Sequence, residues 1–435
     1  MLLFPVQADG IISGDHCADN RTRKTSPGRE ERTGPCLAGR TDDRKPARKR
    51  SFRTARESAR AGTGQEGVSE TMRDRDRFRG CLVGGAAGDA LGYEIEFQSE
   101  QQIFSRYGER GITEYALHDG KALISDDTQM TLFTATGLLC AAAQGKTGGT
   151  AREYERYFRE NYLDWLKTQT ESFPLPEGEH SSWLVNVPGL FSRRAPGNTC
   201  MSALYSARKG RVRKPVNLSK GCGGVMRAAP VGLFFCDRGM QAEDVARIGA
   251  EAAAVTHGHI MGWMPAAAFA QIVFEISQNG DPVYDAVMKT LHTQETMWPG
   301  SEEKDSFLEL MQRAASLASS GMKDAEAIHR LGEGWVADEA LAIAVLCALR
   351  YPDDFDRAII AAVNHKGDSD STGAIAGNIL GASLGLEGIP GKYTKDLELK
   401  EVILEVADDL WRGCRADGTE DSCGAGIPEE TREIR

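Results

Sequence analysis

Two short acidic clusters, 242 residues apart when counted from Asp126 to Asp368, contain the side chains most able to do chemistry. Residues 125–128 read Ser-Asp-Asp-Thr and residues 367–372 read Gly-Asp-Ser-Asp-Ser-Thr, and an apolar stretch with helical spacing follows each. One interpretation is helix capping, because Ser, Thr and Asp are preferred at helix N-termini. A cap needs only one oxygen, however, whereas each cluster holds two carboxylates that repel one another.

A bound cation would remove this repulsion if the two clusters meet in the folded chain. Carboxylate and hydroxyl oxygens are hard ligands, which suit Mg²⁺, Mn²⁺ or Ca²⁺ better than Zn²⁺. Four acids and two hydroxyls are enough for two such ions, with positions left for water and substrate. The spacing alone leaves capping and metal binding both open.

Other catalytic patterns in the chain are weak. Residues 145–147, Gly-Lys-Thr, resemble the end of a P-loop, but that motif would then begin at Cys140 and would follow a predicted helix. The glycine-rich residues 84–88 lack the dinucleotide fingerprint, so we expect them to allow close helix packing or close approach of a ligand. The Gly-x-Ser-x-Gly match at residues 381–385 falls at the end of a predicted helix and does not follow a strand, which disfavours serine hydrolysis. Zinc-ligand spacing is missing from the sequence, which disfavours zinc chemistry.

The elements that must position the clusters are predicted to be helices. Apolar residues recur at helical spacing in seven stretches, namely residues 78–87, 130–143, 245–256, 265–277, 335–349, 355–364 and 371–384. Glycine- and proline-rich segments separate them, and few stretches alternate apolar and polar residues as strands do. We therefore predict an all-α domain over residues 72–412, followed by a polar C-terminal tail over residues 413–435.

The charge of the chain is unevenly distributed around a formal net value of −11. Residues 1–71 carry 14 basic and 10 acidic side chains, whereas the remaining residues carry 38 and 53. Because residues 1–71 show no sustained apolar period, we expect a disordered basic extension, or a stretch upstream of a natural start at Met72. The basic run 44–50 suits a polyanion, but a solvated tail is the simpler interpretation, so nucleic-acid binding is not expected.

Composition also bears on the compartment. The longest uninterrupted apolar run, residues 340–349, has ten residues and is too short to cross a membrane. A basic start followed by an apolar secretory core is absent from residues 1–71. The ten cysteines are scattered, and a chain of this length does not need disulfides, so we expect a cytoplasmic protein.

Several further blocks stand in a characteristic order between residues 74 and 390. They read Gly-Gly-Ala-Ala-Gly-Asp-Ala-Leu-Gly at 84–92, Arg-Ala-Pro-Gly-Asn-Thr at 194–199, Gly-Cys-Gly-Gly-Val-Met-Arg at 221–227, Thr-His-Gly-His at 256–259 and Ala-Asp-Glu-Ala-Leu at 337–341. Together with the acidic clusters, they resemble the ADP-ribosylglycohydrolase family, which includes dinitrogenase reductase-activating glycohydrolase and the ADP-ribosylarginine hydrolases. The resemblance implies a single compact multi-helix domain with a two-magnesium site in a central cleft.

The resemblance also implies roles for individual residues. The metal ligands would be Ser125, Asp126, Asp127, Asp368, Asp370 and Ser371, holding two Mg²⁺ ions, with Mn²⁺ as an alternative. The catalytic carboxylates would be Glu96, Asp127 and Asp368, with Glu96 at the position of the family's mobile glutamate. The substrate-binding residues would be Gly221, Gly223, Gly224, Met226, Arg227 and His257, since backbone N–H groups of a glycine-rich loop can approach a diphosphate closely.

Some positions differ from the residues that are common in the family. The second cluster has Asp-Ser-Asp-Ser where many members have Asp-Thr-Asp-Thr. Ser125 and Ser371 match the residues of the arginine-specific branch. Cys222 stands where Asn or Ser is usual, and Lys366 precedes Gly367 where smaller residues are common. Lys366 would either tune the acidic site or point to solvent. These departures leave the linkage specificity open and remove no expected ligand.

The function predicted from the sequence is a metal-dependent hydrolase that removes ADP-ribose from modified protein side chains by cleaving the N-glycosidic bond to arginine. One alternative keeps the chemistry but changes the substrate to serine-linked or small-molecule ADP-ribose conjugates. Another is a non-catalytic binder of ADP-ribose or of a toxin, which the intact acids disfavour. We expect an ADP-ribosylated protein as partner, no membrane partner, and a monomer.

Overall fold

The computed structural model describes residues 74–415. Within this range the chain forms sixteen α-helices and three short 3₁₀ turns, and no strand. The α-helices are α1 (Arg75–Tyr93), α2 (Glu100–Tyr107), α3 (Asp126–Ala143), α4 (Ala151–Thr170), α5 (Asn198–Tyr205), α6 (Ala229–Phe234), α7 (Ala242–Ala254), α8 (Ile260–Asn279), α9 (Val283–Met297), α10 (Glu302–Ala318), α11 (Asp324–His329), α12 (Ala337–Arg350), α13 (Phe355–Val363), α14 (Ser369–Leu384), α15 (Gly391–Thr394) and α16 (Lys400–Arg412). The predicted all-α fold is confirmed.

Each of the seven predicted helical stretches corresponds to a helix of the structure, although residues 255–256, 335–336 and 364 lie just outside α7, α12 and α13. Several helices begin earlier than their apolar residues do. The helix α3 begins at Asp126, four residues before the apolar run at Met130. The helix α8 begins at Ile260 and contains Pro265 in its second turn. Polar residues fill the first turn of α3 because that turn has free backbone N–H groups, which favour acidic side chains.

The helix α8 is the most apolar long helix among the described residues. By length and composition it could cross a membrane, with a mean hydropathy of 1.3 over its most apolar window. Within the structure 94% of that window is buried, and Phe269 and Ile272 in its middle are fully buried. The helix therefore has the burial of a core helix, around which α6, α7 and α9 pack.

The helices α1 and α14 pack backbone against backbone. A glycine occurs at every fourth position of α1, and each faces a small residue of α14 in antiparallel order. The facing pairs are Gly80 with Gly381, Gly84 with Gly377, Gly88 with Gly373, and Gly92 with Ser369. A Cβ atom added at Gly88 would clash with the carbonyl oxygen of Gly373, so the small residues of the 84–88 stretch serve helix packing, one of the two roles expected for them.

This packing places the C-terminal end of α1 against the N-terminal end of α14. The hydroxyl of Ser369 donates a hydrogen bond to the carbonyl oxygen of Gly92 at 2.9 Å. At the other end of α1, Arg75 and Arg79 donate hydrogen bonds to Asp408 of α16 at 2.5–2.9 Å. The helix α1 is thus held at both ends, and its C-terminal end is fixed relative to the second acidic cluster.

The predicted domain limits remain predictions. The expected basic extension, residues 1–71, lies outside the described residues, as do residues 416–435 of the expected tail. The helix α16 ends at Arg412, where the sequence places the end of the domain.

Candidate active site

The first acidic cluster forms the N-terminus of α3. The hydroxyl oxygen of Ser125 accepts a hydrogen bond from the N–H of Asp127 at 3.2 Å and caps the helix. The carboxylate of Asp126 accepts a hydrogen bond from the N–H of Gly197 at 3.2 Å. Oδ2 of Asp127 has no hydrogen-bond partner among residues 74–415, although the side chain is buried. One residue of this cluster therefore provides the cap, and both carboxylates remain available for another role.

The second acidic cluster forms the N-terminus of α14 in a similar way. Oδ1 of Asp368 accepts a hydrogen bond from the N–H of Ser371 at 3.2 Å and provides the cap. Asp370 lies in the first turn, where its Oδ1 also accepts from the N–H of Ser371, at 3.0 Å. Capping and a second role are therefore compatible in both clusters, since one oxygen caps each helix and further carboxylate oxygens remain.

The two clusters come together through Asp89, near the C-terminal end of α1. The carboxylate of Asp89 is fully buried and accepts hydrogen bonds from the N–H groups of Ser125, at 3.0 Å, and Thr128, at 3.1 Å. The hydroxyl of Thr128 also donates to it. Asp89 thus fixes the start of α3 to the end of α1, which already lies against the start of α14. Asp89 is not among the site residues predicted from the sequence, although a charged residue within a run of small residues is a visible signal.

Glu96 completes the acidic cluster from the turn after α1. One carboxylate oxygen from each of Glu96, Asp368 and Asp370 lies within 4.8 Å of the other two. Oε2 of Glu96 has no hydrogen-bond partner within residues 74–415, and only 7% of the residue is exposed. The neighbouring Glu94 instead pairs with Arg106 and His118 at 2.9 Å. Of the two glutamates in this turn, Glu96 is therefore the one that belongs to the site.

The electrostatics of the cluster favour a cation. Burial, together with the charge of neighbouring carboxylates, holds the pKa values of Asp126, Asp127 and Asp368 well above the usual range of aspartate. The pKa of Glu96 is raised by burial and then by the charges of Asp370 and Asp368. Ionising these groups is costly without a positive charge nearby, and buried oxygens of Glu96 and Asp127 lack partners. The residues present therefore fit a hard divalent ion held by Glu96, Asp368 and Asp370, with Asp126 and Asp127 lining the same cleft.

A cleft of about 620 Å³ opens over the acidic cluster. Its walls include residues 195–200, part of the loop 221–226, and the side chains of Phe97 and Trp335. A larger cavity of about 760 Å³ lies near the C-terminal end of α3, but none of the acidic cluster residues line it. We assign function to the smaller cleft because buried carboxylates and the backbone of a glycine-rich loop both line it. The volume of a cavity does not by itself indicate function.

The glycine-rich loop lies partly in the cleft wall, as the sequence predicted. Gly221, Gly223 and Met226 line the cleft, and a Cβ atom at Gly223 would crowd the sulfur of Cys200 and the ring of His257. Gly224 does not line the cleft and instead packs against the carbonyl oxygen of Gly262. The loop therefore presents part of its backbone to a ligand and uses the rest for packing.

Arg227 is fully buried behind this loop and does not line the cleft, contrary to its predicted role in substrate binding. Its guanidinium donates hydrogen bonds to the carbonyl oxygen of Gly223 and to the hydroxyl of Thr256, the latter at 2.7 Å. It also lies 4.4 Å from the ring centroid of Tyr162. A buried charge needs such partners, so Arg227 is a positioning residue that holds the loop in place.

His257 is reached by the same network and does line the cleft. Its Nδ1 lies 2.9 Å from the hydroxyl of Thr256. Burial, followed by the charge of Arg227, lowers the pKa of His257 to about 3, so the ring is neutral at pH 7. His259 has a different role, because its Nδ1 caps α8 by accepting from the N–H of Met261 at 3.0 Å.

The two unusual positions noted in the sequence differ in their relation to the cluster. The thiol of Cys222 lines the cleft and donates a hydrogen bond to Oδ2 of Asp368 at 2.6 Å. Lys366 turns towards solvent, with 55% of its side chain exposed, and pairs with Glu333 at 2.6 Å. The structure therefore selects the solvent-facing alternative for Lys366, whereas Cys222 contacts an expected metal ligand directly.

Comparison with known proteins agrees with the geometry of the site. The sequence model of the ADP-ribosylglycohydrolase family matches residues 70–420. The chain belongs to the ADP-ribosylglycohydrolase family. The predicted family membership is confirmed. The family also supports the general class of activity, hydrolysis of a glycosidic bond to ADP-ribose.

Individual relatives in this family are distant but cover most of the chain. ADP-ribosylhydrolase ARH3 of Bos taurus is 24% identical over 382 residues, which cover 81% of this chain and 96% of that protein. The ADP-ribosyl-[dinitrogen reductase] glycohydrolase of Rhodospirillum rubrum is 25% identical over 331 residues, covering 75% and 91%. A solved ADP-ribosylglycohydrolase-related protein complex contains a chain with 23% identity and a TM-score of 0.53, covering 79% of this chain and 99% of its own, which supports the fold.

Proposed function

We propose that this ADP-ribosylglycohydrolase cleaves the N-glycosidic bond between ADP-ribose and an arginine side chain of a modified protein, with Mg²⁺ at the acidic cluster. The observation that carries the proposal is the meeting of two acidic helix N-termini in one cleft beside Glu96 and a glycine-rich loop. Such a cleft offers oxygen ligands for cations on one side and backbone N–H groups for a diphosphate on the other.

The residues that would hold two Mg²⁺ ions are the four aspartates with the two serine hydroxyls, namely Ser125, Asp126, Asp127, Asp368, Asp370 and Ser371. When bound, the ions supply positive charge that orients ribose hydroxyl groups and a water molecule. Among these residues, the four aspartates and Ser371 line the cleft, and Ser125 is fully buried.

Hydrolysis adds a hydroxyl group to the anomeric carbon and a proton to the departing guanidine nitrogen. An acid must deliver that proton, because guanidine leaves poorly unless it departs protonated, and a base must accept one from water. Glu96, Asp127 and Asp368 all line the cleft and are the carboxylates available for this exchange. Glu96 and Asp127 each have one oxygen with no partner among the described residues, so these oxygens are free to hold a proton.

The sequence of the two acidic clusters supports the arginine linkage, because Ser125 and Ser371 match the arginine-specific branch of the family. Five carboxylates line the cleft, and Arg193, at its exposed edge, is the one Lys or Arg side chain among the described lining residues. Two Mg²⁺ ions would offset four of the five negative charges, so the charge of the cleft does not by itself choose between an arginine and a serine leaving group. The Rhodospirillum rubrum relative is named as a glycohydrolase of ADP-ribosyl-[dinitrogen reductase], so an ADP-ribosylated protein is named as its substrate.

The test is release of ADP-ribose from an ADP-ribosyl-arginine protein and from an ADP-ribosyl-serine protein, each with Mg²⁺ and with EDTA. We expect Mg²⁺-dependent release from the arginine substrate. Release from the serine substrate alone would replace the arginine linkage by the serine alternative. No release from either substrate would contradict both the arginine and the serine linkage, and would leave small-molecule conjugates or binding without turnover.

The metal site has its own variant and control. Asp127→Ala combined with Asp370→Ala should abolish release, because it removes one carboxylate from each helix N-terminus. The control, Glu243→Ala combined with Asp244→Ala, makes the same charge change in the first turn of α7, outside the residues that line the cleft, and should retain activity. Activity that survives the first pair would remove the acidic cluster from the mechanism. The cytoplasmic location and monomeric state stay predictions, to be measured by localisation and sedimentation.

A further inference from the structure

The rim of the cleft carries two exposed aromatic side chains that stack on each other. Phe97 and Trp335 have ring centroids 6.0 Å apart and ring planes inclined by 18°. Phe97 is 73% exposed and Trp335 is 40% exposed, yet both line the cleft beside Glu96. Single exposed apolar residues are ordinary on a protein surface, but a stacked pair beside buried carboxylates indicates a surface kept for a ligand.

The two members of this aromatic pair are held differently. The carbonyl oxygen of Trp335 accepts a hydrogen bond from the N–H of Cys222 at 3.2 Å, which ties it to the glycine-rich loop. The preceding turn is also fixed, because Glu333 accepts through its carbonyl oxygen from the N–H of Asp368 at 2.9 Å. Phe97 stands on the short turn that follows α1, next to Glu96. Trp335 is therefore a fixed platform, and Phe97 is the more exposed ring that covers it.

The position of the pair shows which part of a substrate it would meet. Phe97 is adjacent in sequence to Glu96, whose carboxylate lies within 4.8 Å of Asp368 and Asp370. If the ribose to be cleaved binds at that cluster, its bond to the leaving group lies there too. Gly334, which precedes Trp335, also lies against the cluster, since a Cβ atom there would be 3.4 Å from the Cβ of Asp368. Both rings therefore stand beside the place where the leaving group would be released.

We propose that Phe97 and Trp335 form a specificity-determining subsite that binds the guanidinium group of the modified arginine by stacking and cation–π contact. A guanidinium is planar, permanently charged and weakly hydrated, and it is attracted to an aromatic face within about 6 Å of the ring centroid. A serine leaving group has neither the plane nor the charge. This inference rests on the proposed function, because it takes the acidic cluster as the place of cleavage.

The first arm of the test compares leaving groups in the full-length protein with Mg²⁺. Phe97→Leu and Trp335→Leu should each lower kcat/KM for the arginine substrate by about 2- to 30-fold, the range of cation–π contacts from exposed to desolvated sites. The kcat/KM for a serine substrate should stay unchanged, and Phe97→Tyr should retain wild-type values on both. Tyr284→Leu, an exposed aromatic change outside the cleft lining, is the matched control.

The second arm measures binding without turnover. Agmatine, which carries a guanidinium, and N-(4-aminobutyl)urea, which has an uncharged urea group in its place and keeps the same amine, are titrated calorimetrically into the protein holding ADP-ribose and Mg²⁺. We expect agmatine to bind more tightly than the urea, and Phe97→Leu to remove most of that preference. The same two titrations with Tyr284→Leu should reproduce the wild-type preference.

The outcomes separate this inference from the proposed function. Agmatine bound no tighter than the urea, or an equal loss on both substrates in Phe97→Leu, would overturn the guanidinium subsite. Hydrolysis of the arginine substrate with unchanged kcat/KM in both leucine variants would overturn it too, while leaving the proposed function intact. A Phe97-dependent preference for agmatine without release from the arginine substrate would support the subsite and contradict the proposed function.

Discussion

The carboxylate of Asp89 accepts a hydrogen bond from the N–H of Ser125 at 3.0 Å, and so joins the end of α1 to the beginning of α3. The same carboxylate accepts from the N–H and the hydroxyl of Thr128. Since α1 also packs directly on α14, this one buried side chain sets the position of the first acidic cluster relative to the second. Asp89 therefore matters for the site without lining the cleft.

Asp89→Ala should lower the free energy of unfolding by about 2 to 4 kcal/mol, because buried donors on Ser125 and Thr128 lose their acceptor. Asp89→Asn keeps one acceptor oxygen and should lose less. Urea denaturation of the three proteins in EDTA measures the effect. An Asp89→Ala protein with the wild-type midpoint and slope would show that the α1–α3 junction does not depend on this carboxylate.

Asp370→Asn should respond differently with and without metal. In EDTA the variant should be at least as stable as the wild type, since one of several repelling carboxylates is neutralised. With Mg²⁺ at about 100 times its Kd, the wild type should gain about 2.7 kcal/mol and the variant much less. Thermal unfolding across a Mg²⁺ titration tests this, with Asp244→Asn as the surface control. An equal gain in both proteins would place the ion elsewhere.

Gly88→Ala should lower stability by about 1 to 3 kcal/mol or more, because the new methyl group meets the carbonyl oxygen of Gly373 across the α1–α14 contact. It should also weaken Mg²⁺ binding, since the two helices carry Asp89 and Asp370. Gly321→Ala is the matched control, because an added Cβ there meets nothing within 4 Å and the backbone is not left-handed. Calorimetric unfolding and Mg²⁺ titration of both variants measure the two effects, and matching results would contradict close packing at Gly88.

Asp408 should make stability depend on pH below pH 4. Burial opposes its ionisation, but hydrogen bonds from Arg75 and Arg79 outweigh burial and lower its pKa from 3.8 to about 2, and Arg412 lies 3.8 Å away. A lowered folded-state pKa stabilises the protein above pH 3.8, and this contribution disappears as the pH falls towards 2.

The corresponding variant is Asp408→Asn, which should lose about 1 to 2 kcal/mol at pH 7 after allowance for solvent screening at the half-exposed Arg75. The difference from the wild type should shrink between pH 4 and pH 2, measured by denaturation at each pH. A constant difference across that range would mean that Asp408 acts through packing and not through charge.

The all-α fold was predictable because apolar residues recur at helical spacing in many parts of the chain. Apolar residues at helical spacing predict α1, α3, α7, α8, α12, α13 and α14 from the sequence alone. Their starting points were less predictable, as α3 shows. Its first turn consists of polar residues, which suit the free backbone N–H groups at a helix start. Such a polar turn has no apolar period, so it looks like a loop in the sequence.

The candidate site was predictable in part for a related reason. Paired carboxylates next to hydroxyls are rare enough to reveal Asp126, Asp127, Asp368 and Asp370, whereas Arg227 looks like a ligand contact in sequence. Its burial depends on Tyr162 and Thr256, which lie far from it along the chain. The stacking of Phe97 with Trp335 was likewise hidden, because no local pattern shows that two surface rings 238 residues apart will touch.

The distance along the chain between the two acidic clusters has a consequence for how activity appears during synthesis. A ribosome must make α14 before Asp368 and Asp370 can meet Asp126 and Asp127, and α14 comes more than 240 residues after α3. A nascent chain therefore passes through most of its translation with half of the acidic cluster, and any fragment that stops before α14 lacks the other half. The complete acidic cluster, on which the proposed hydrolysis depends, can therefore form only after α14 has been synthesised.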